Sequence, residues 1–257
     1  PARYAQTVAA CCGEPVTVTL PQGESSKNLQ NFELLCRTML QKGFTRTDCV
    51  VAVGGGMVGD LAGFAAASFM RGIDFYNIPT TVLSQIDSSI GGKTAINFGG
   101  VKNIVGSFYQ PKKVLIDPEL LNTLDERQLS NGLAEAIKMA LTSDSELFSI
   151  FESKDIKENI DAIIIRSLNI KKKIVEQDEK ESGLRKILNF GHTIGHAIEK
   201  CSYFTISHGK AVAVGMVIAT KGAYEIGMSD EDYSDVLLPI LKANNLPTTC
   251  EFSAEDL

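Results

Sequence analysis

The sequence predicts an α/β N-terminal region built on a parallel sheet, followed by a largely α-helical C-terminal region. Three observations carry this. Up to about residue 87, short apolar runs alternate with glycine-punctuated helical patterns. Beyond about Asp125, long stretches of helical period take over. All three histidines fall in the later half, within the seventeen positions from His192 to His208. Alternating strand and helix patterns are the mark of a parallel layer, whereas sustained 3.6-residue periodicity marks packed helices.

Taken in order, DCVVAV (48–53) reads as a strand, GGGMVGD as a turn, LAGFAAASFM as a helix and IDFYNI (73–78) as a second strand; PTTVLSQID reads as a turn running into a further helix. GLAEAIKMAL, NIDAIIIRSLNIKKKIVEQ and AVAVGMVIATKGAYEI then read as helices. The change of pattern puts a domain boundary near 122–128, dividing 1–124 from 125–257. No internal repeat or low-complexity tract appears.

Composition narrows the function classes. With 44% hydrophobic and 22% charged residues the chain can bury a sizeable core. Its longest apolar runs stop about ten residues short of the ~20 that a membrane helix needs, and no signal peptide is visible. Six cysteines without CxxC spacing fit reduced thiols, hence a cytoplasmic protein, and argue against a cysteine zinc cluster. A net charge of −6 argues against nucleic-acid binding while leaving room for a local basic pocket.

Gly54, Gly56 and Gly59 satisfy G-x-G-x-x-G between a strand and a helix, the context in which backbone amides and a helix N-terminus hold a pyrophosphate. The region 1–124 therefore reads as a dinucleotide-binding domain. DSSIGGKTAIN ends like a P-loop, but the pattern needs glycine where Asp87 stands. What remains is a flexible backbone carrying Lys93, with Lys102 and Asn103 in GGVKN, as a second anion pocket.

On one helix, Arg185, Asn189, His192 and His196 fall at i, i+4, i+7 and i+11 and form a single stripe. Three histidines so close together point to a metal site, although spacing does not choose which of them ligate. Glu135, on a mostly apolar helix with Lys138 one turn on, is the carboxylate best suited to join two imidazoles around a catalytic zinc. Lys171 falls within the apolar arc of its helix, where a lysine either snorkels or serves a buried anion, and Glu181 and Arg185 follow in EKESGLR.

The stretch from GGGMVGD through GGVKN, together with LNFGHTIGHAIE and SHG, resembles the 3-dehydroquinate synthase family over nearly the whole chain. The resemblance implies an NAD-binding α/β domain and a helical metal-binding domain, in a family whose members run longer at both ends. It implies that Glu135, His192 and His208 bind a divalent metal, zinc or cobalt. NAD contacts would come from Glu24 and Lys27 in QGESSK, from Gly54, Gly55, Gly56, Met57, Val58, Gly59 and Asp60, from Thr80 and Thr81, from Lys93 and Lys102, and from Leu120, Leu121, Asn122 and Thr123.

By the same resemblance Lys93, Asn103 and His196 hold the substrate phosphate, with Lys102 nearby. Arg71 reaches it from the partner subunit of a homodimer. Lys171 and Arg185 hold the substrate carboxylate, while Asp87, Lys138, Glu181 and Asn189 surround the reacting hydroxyls. The implied reaction turns 3-deoxy-D-arabino-heptulosonate 7-phosphate into 3-dehydroquinate and phosphate in the shikimate pathway, by transient oxidation, phosphate elimination, reduction and aldol closure. Lys210 stands where the family usually has glutamate. The alternatives are a metal- and NAD-dependent polyol dehydrogenase, a related sugar-phosphate cyclase, and a silent nucleotide- and metal-binding module. Lys93 with Asn103 and His196, and Lys171 with Arg185, speak against the first.

Overall fold

The computed structural model describes residues 1–153 and 155–257, and the chain divides into two compact units, Pro1–Asn122 and Thr123–Leu257. The first is α/β. After helix α1 (Ala2–Ala9) and a 3-10 turn at Glu24–Ser26, α2 (Leu29–Gln41) starts where the Asn28 side chain accepts the Asn31 amide at 2.9 Å, a helix cap. Strand β1 (Cys49–Gly54) leads through Gly55 into α3 (Gly56–Ser68), and β2 (Asp74–Pro79) follows. A two-stranded antiparallel hairpin, β3 (Lys93–Phe98) and β4 (Val101–Phe108), precedes the short β5 (Lys113–Val114).

The sheet is parallel with order β1-β2-β5, as the alternating pattern predicts. Helix α3 packs on it through small residues. A Cβ at Gly63 would run into Thr94 and Phe75, so the helix lies closer than an alanine would permit. Met39, Ala52, Ala62, Ala65, Ala66, Ile73 and Phe75 form the core there.

Three expectations for this unit need correction, the first being the GGGMVGD turn, of which Gly56 to Asp60 already belong to α3. PTTVLSQID does turn into a helix, but a short one: the Gln85 amide donates to the Thr81 carbonyl at 2.9 Å and the rest is a π-helical turn, Ser84–Ser88. Lys93 is not on a flexible loop beside a second helix but opens β3, and the loop glycines lie in the turns around the hairpin.

The second unit is helical: α4 (Glu126–Ser143), α5 (Ser145–Ser153), α6 (Ile160–Gln177), α7 (His192–Cys201), α8 (His208–Glu225) and α9 (Ser234–Ala243). Asp125 caps α4 by accepting the Gln128 amide at 2.7 Å, and every residue from Ser130 to Ala140 is buried, which makes α4 the central helix. Arg166 on α6 pairs with Asp144 at 2.9 Å, tying α6 to the α4–α5 junction.

Between α6 and α7 the stripe expected from Arg185 to His196 is interrupted. Leu184–Asn189 is a 3-10 turn, Phe190 is extended, and Gly191 takes a left-handed φ of 75° before α7 begins at His192. Only His192 and His196 share a helix.

Candidate metal centre and nucleotide loop

Glycines let three helices approach closely enough to bring the metal-donor residues together. A Cβ at Gly209, in the first turn of α8, would overlap the Asn131 carbonyl of α4, and one at Gly215 would overlap the Gly191 carbonyl beside α7. Gly195 lies against the α8 backbone at Val212, so the close approach expected of the two histidine-segment glycines is made by another helix. The Gly209 amide donates to Asn131 Oδ1 at 2.7 Å, and Glu135 sits one turn along from Asn131 on α4.

The result is a buried carboxylate between two imidazoles. Glu135 Oε1 lies 3.5 Å from His192 Nε2 and 3.3 Å from His208 Nε2. Among the described residues it accepts no hydrogen bond, whereas Oε2 is paired with the buried Lys138 ammonium. Donors bound tetrahedrally at about 2.1 Å stand about 3.4 Å apart, so this spacing fits a small divalent cation. His196 is exposed, and its ring centre is 5.3 Å from that of His192 and 6.0 Å from that of His208.

The electrostatics agree with a cation site. Burial would push the Glu135 carboxyl up, but Lys138, His208 and His192 outweigh it and hold it well below the usual range. Burial also opposes charge on His208, yet the Glu135 and Glu199 carboxylates lift it to about 9. At His192 burial prevails over Glu135, and the imidazole falls to about 4. Carboxylates thus gather positive charge at the point between the donors, where a metal and a proton would compete.

Glu199 is the residue that reading the sequence missed. Its carboxylate is buried on α7, with Oε2 3.1 Å from His208 Nδ1. It stands seven residues after His192, the spacing that puts both on one helix face, and that was the available signal.

Around this centre the second unit holds further residues singled out above. Asn189 Nδ2 donates to Glu181 Oε1 at 2.6 Å, so these two meet despite the broken stripe. Lys171 on α6 and Arg185 in the 3-10 turn are 5% and 2% exposed. Glu181, Asn189, Lys180, Lys186 and Thr193 line an open depression of about 670 Å³.

The first unit gathers the nucleotide candidates. Lys27 Nζ contacts Asp60 Oδ2 at 2.8 Å and Glu24 Oε1 at 3.2 Å, and although burial opposes its charge these two acids raise its pKa. Asn97 donates to Glu24 Oε1 at 2.9 Å and its Oδ1 accepts the Asn103 amide at 3.0 Å, linking QGESSK to the hairpin.

The Thr80 amide donates to the Gly54 carbonyl at 2.9 Å, and Gly56 starts α3, whose first-turn amides precede the intrahelical ladder. Gly55 abuts Thr81, and a Cβ at Gly56 would strike Ser88 Oγ. The hydroxyls of Thr80, Ser88 and Ser89 are buried without hydrogen-bond partners among the described residues. Amides at a helix start beside orphaned hydroxyls fit a phosphate-bearing nucleotide. Ser88 and Ser89 line a recess with Gly59, Asp60 and Lys93.

Of the remaining candidates, Met57 and Val58 lie in the first turn of α3, Asp87 in the π-helical turn and Lys102 on β4; Leu120, Leu121, Asn122 and Thr123 form a 3-10 turn. Arg71 is exposed at a left-handed φ of 69°.

Residues 17–131 match the family model described as 3-dehydroquinate synthase N-terminal, and 132–257 match that described as 3-dehydroquinate synthase C-terminal. The chain belongs to the 3-dehydroquinate synthase family. A 3-dehydroquinate synthase of Thermoanaerobacter sp. (strain X514) is 49% identical over 239 residues, which cover 90% of this chain and 67% of that protein. Among solved structures, a 2-epi-5-epi-valiolone synthase from Streptomyces hygroscopicus subsp. jinggangensis 5008, with NAD+ and Zn2+ bound, is 29% identical. It superposes with a TM-score of 0.90 over 99% of this chain and 73% of its own. A 2-deoxy-scyllo-inosose synthase complexed with carbaglucose-6-phosphate, NAD+ and Co2+ is 28% identical, with a TM-score of 0.86 over 98% of this chain and 71% of its own. Membership in the 3-dehydroquinate synthase family sets the simple polyol dehydrogenase aside. No helix among the described residues is long and apolar enough to cross a membrane.

Proposed function

We propose that this chain converts 3-deoxy-D-arabino-heptulosonate 7-phosphate to 3-dehydroquinate and phosphate, using NAD and zinc or cobalt. The observation that carries this reading is the buried Glu135 oxygen held 3.5 and 3.3 Å from two imidazole nitrogens, in a family of phosphate-eliminating cyclases. When bound, NAD would supply a hydride acceptor and donor, and the metal a Lewis acid at the reacting oxygens.

The residues of the chain do the rest. Glu135, His192 and His208 hold the cation, and Lys138 keeps Glu135 ionised through its other oxygen. Lys171 and Arg185 take the substrate carboxylate, for which buried cations are suited because an anion binds more tightly where water is excluded. The hydrogen-bonded pair Glu181 and Asn189, with Asp87, orients the hydroxyls. Lys93, Asn103 and His196 take the phosphate, with Lys102 beside them. The Gly54–Asp60 loop, Glu24, Lys27, Thr80, Thr81 and the Leu120–Thr123 turn hold the dinucleotide. A carboxylate partner for Lys171 and Arg185 separates this substrate from a neutral polyol.

The protein acts as a homodimer in which Arg71 completes the partner's phosphate site, and it works in the cytoplasm, where its six free thiols stay reduced. The decisive assay supplies the heptulosonate phosphate with NAD and Co(II) and follows inorganic phosphate and absorbance at the NADH band. Phosphate release without NADH build-up is expected. Steady NADH accumulation, or no phosphate at all, would overturn the reading.

A further inference from the structure

We propose that Glu199 is a positioning residue for the metal centre, fixing the ring orientation and tautomer of His208 so that Nε2 is presented beside Glu135. The proposal rests on the metal site put forward above. A neutral imidazole carries one N–H, and the nitrogen that faces a strong acceptor keeps it. At His208 that nitrogen is Nδ1, 3.1 Å from Glu199 Oε2, which leaves Nε2, 3.3 Å from the Glu135 oxygen, to give its lone pair to a cation that displaces the proton there. His192 is arranged alike with a weaker acceptor, its Nδ1 lying 3.2 Å from the Phe190 carbonyl. Carboxylate behind imidazole behind metal is a recurrent outer-shell arrangement that stiffens a ligand and raises its basicity.

Glu199 is itself held in place. Its backbone carbonyl accepts the Phe204 amide at 2.8 Å and the Ser202 hydroxyl at 2.9 Å, across a turn in which Tyr203 and Phe204 both take left-handed φ values. A carboxylate with 3% of its side chain exposed is costly unless matched by a cationic or N–H partner. His196, Glu199 and His208 also have donor atoms within 4.8 Å of one another, so Glu199 could instead ligate a cation directly. The exposed His196 and the hydrogen-bonding distance from Glu199 to His208 favour the outer-shell role.

The test titrates the metal-free full chain with Co(II) and reads affinity and the visible d–d band for the parent, Glu199→Gln, Glu199→Ala and His192→Ala. Glu199→Ala should bind about 10–100-fold more weakly, with Glu199→Gln at the low end of that range, and the tetrahedral band should survive with a shifted maximum, because all three ligands remain. His192→Ala should lose tight binding outright. The near-isosteric Glu199→Gln decides alone if Glu199→Ala does not fold. Parent-like affinity and spectrum in the Glu199 variants, with loss in His192→Ala, would overturn the positioning role and leave the metal site standing. Loss in Glu199→Gln with retention in His192→Ala would make Glu199 a ligand and overturn the role. Unchanged binding in every variant would overturn the metal site and this role with it.

Discussion

Asp178 accepts the backbone N–H groups of Ser182, Gly183 and Arg185 at 2.8, 2.8 and 3.0 Å and closes the loop that carries Glu181 and Arg185. Those donors favour the ionised form and hold its carboxyl well below the ordinary aspartate range. A group whose pKa is lowered by folding stabilises the native state above its unfolded value, near 3.9, and that stabilisation fades as pH falls toward the folded value. Asp178→Ala should therefore unfold at lower urea than the parent at pH 7, and the gap between the midpoints should narrow below about pH 4. A gap constant down to pH 2 would mean that the side chain acts by shape rather than charge. At this scale the sequence was most readable where a residue was out of place: histidines crowded into one segment, or Lys171 on an apolar helix face. Glu199 escaped because an acid beside Lys200 near a helix end looks like solvated surface, and its seven-residue spacing from His192 was the one sign against that.

At the scale of elements, apolar periodicity marked where most helices and strands lie, whereas backbone dihedrals decided the joins. The helical spacing from Arg185 to His196 survives in the sequence across a real break, because Gly191 can take a left-handed conformation without altering the pattern on either side. The β3–β4 hairpin was unreadable for the opposite reason. Its turn, Gly99-Gly100 with φ of 60° and 80°, looks like a flexible anion loop until the alternating flanks pair. The small residues of α8 give a test. A Cβ at Gly215 would overlap the Gly191 carbonyl, but one at Gly222 meets nothing within 4 Å. Gly215→Ala should cost about 1–3 kcal/mol, as overpacked contacts do, and should also weaken Co(II) binding. Gly222→Ala should gain about 0.4–1 kcal/mol by restricting the unfolded chain. Urea unfolding of the metal-free protein checks both, and a neutral Gly215→Ala would mean that α8 does not rely on close approach to α7 to bring His208 to His192.

For the whole molecule, a chain of net charge −6 is proposed to take a substrate bearing both a phosphate and a carboxylate, so attraction has to come from a few placed cations rather than from the overall field. Lys171 and Arg185 are buried in the second unit, whereas Arg71 is an exposed residue of the first, in a turn with two consecutive left-handed residues, Met70 and Arg71. An arginine so placed suits a role in a neighbouring copy, and two-fold symmetry makes that role countable. If each site draws Lys93 from its own chain and Arg71 from the partner, a mixed dimer of Arg71→Ala and Lys93→Ala protomers carries one intact site and one doubly defective site. Random exchange of equal amounts makes half of the dimers mixed, so about a quarter of the parent activity should return from two variants that are each nearly inactive. Phosphate release measured before and after exchange, with mixed dimers verified by differential tagging, gives the count. Recovery near that fraction supports the shared site; verified mixed dimers as inactive as their parents would place Arg71 and Lys93 in the same chain's site.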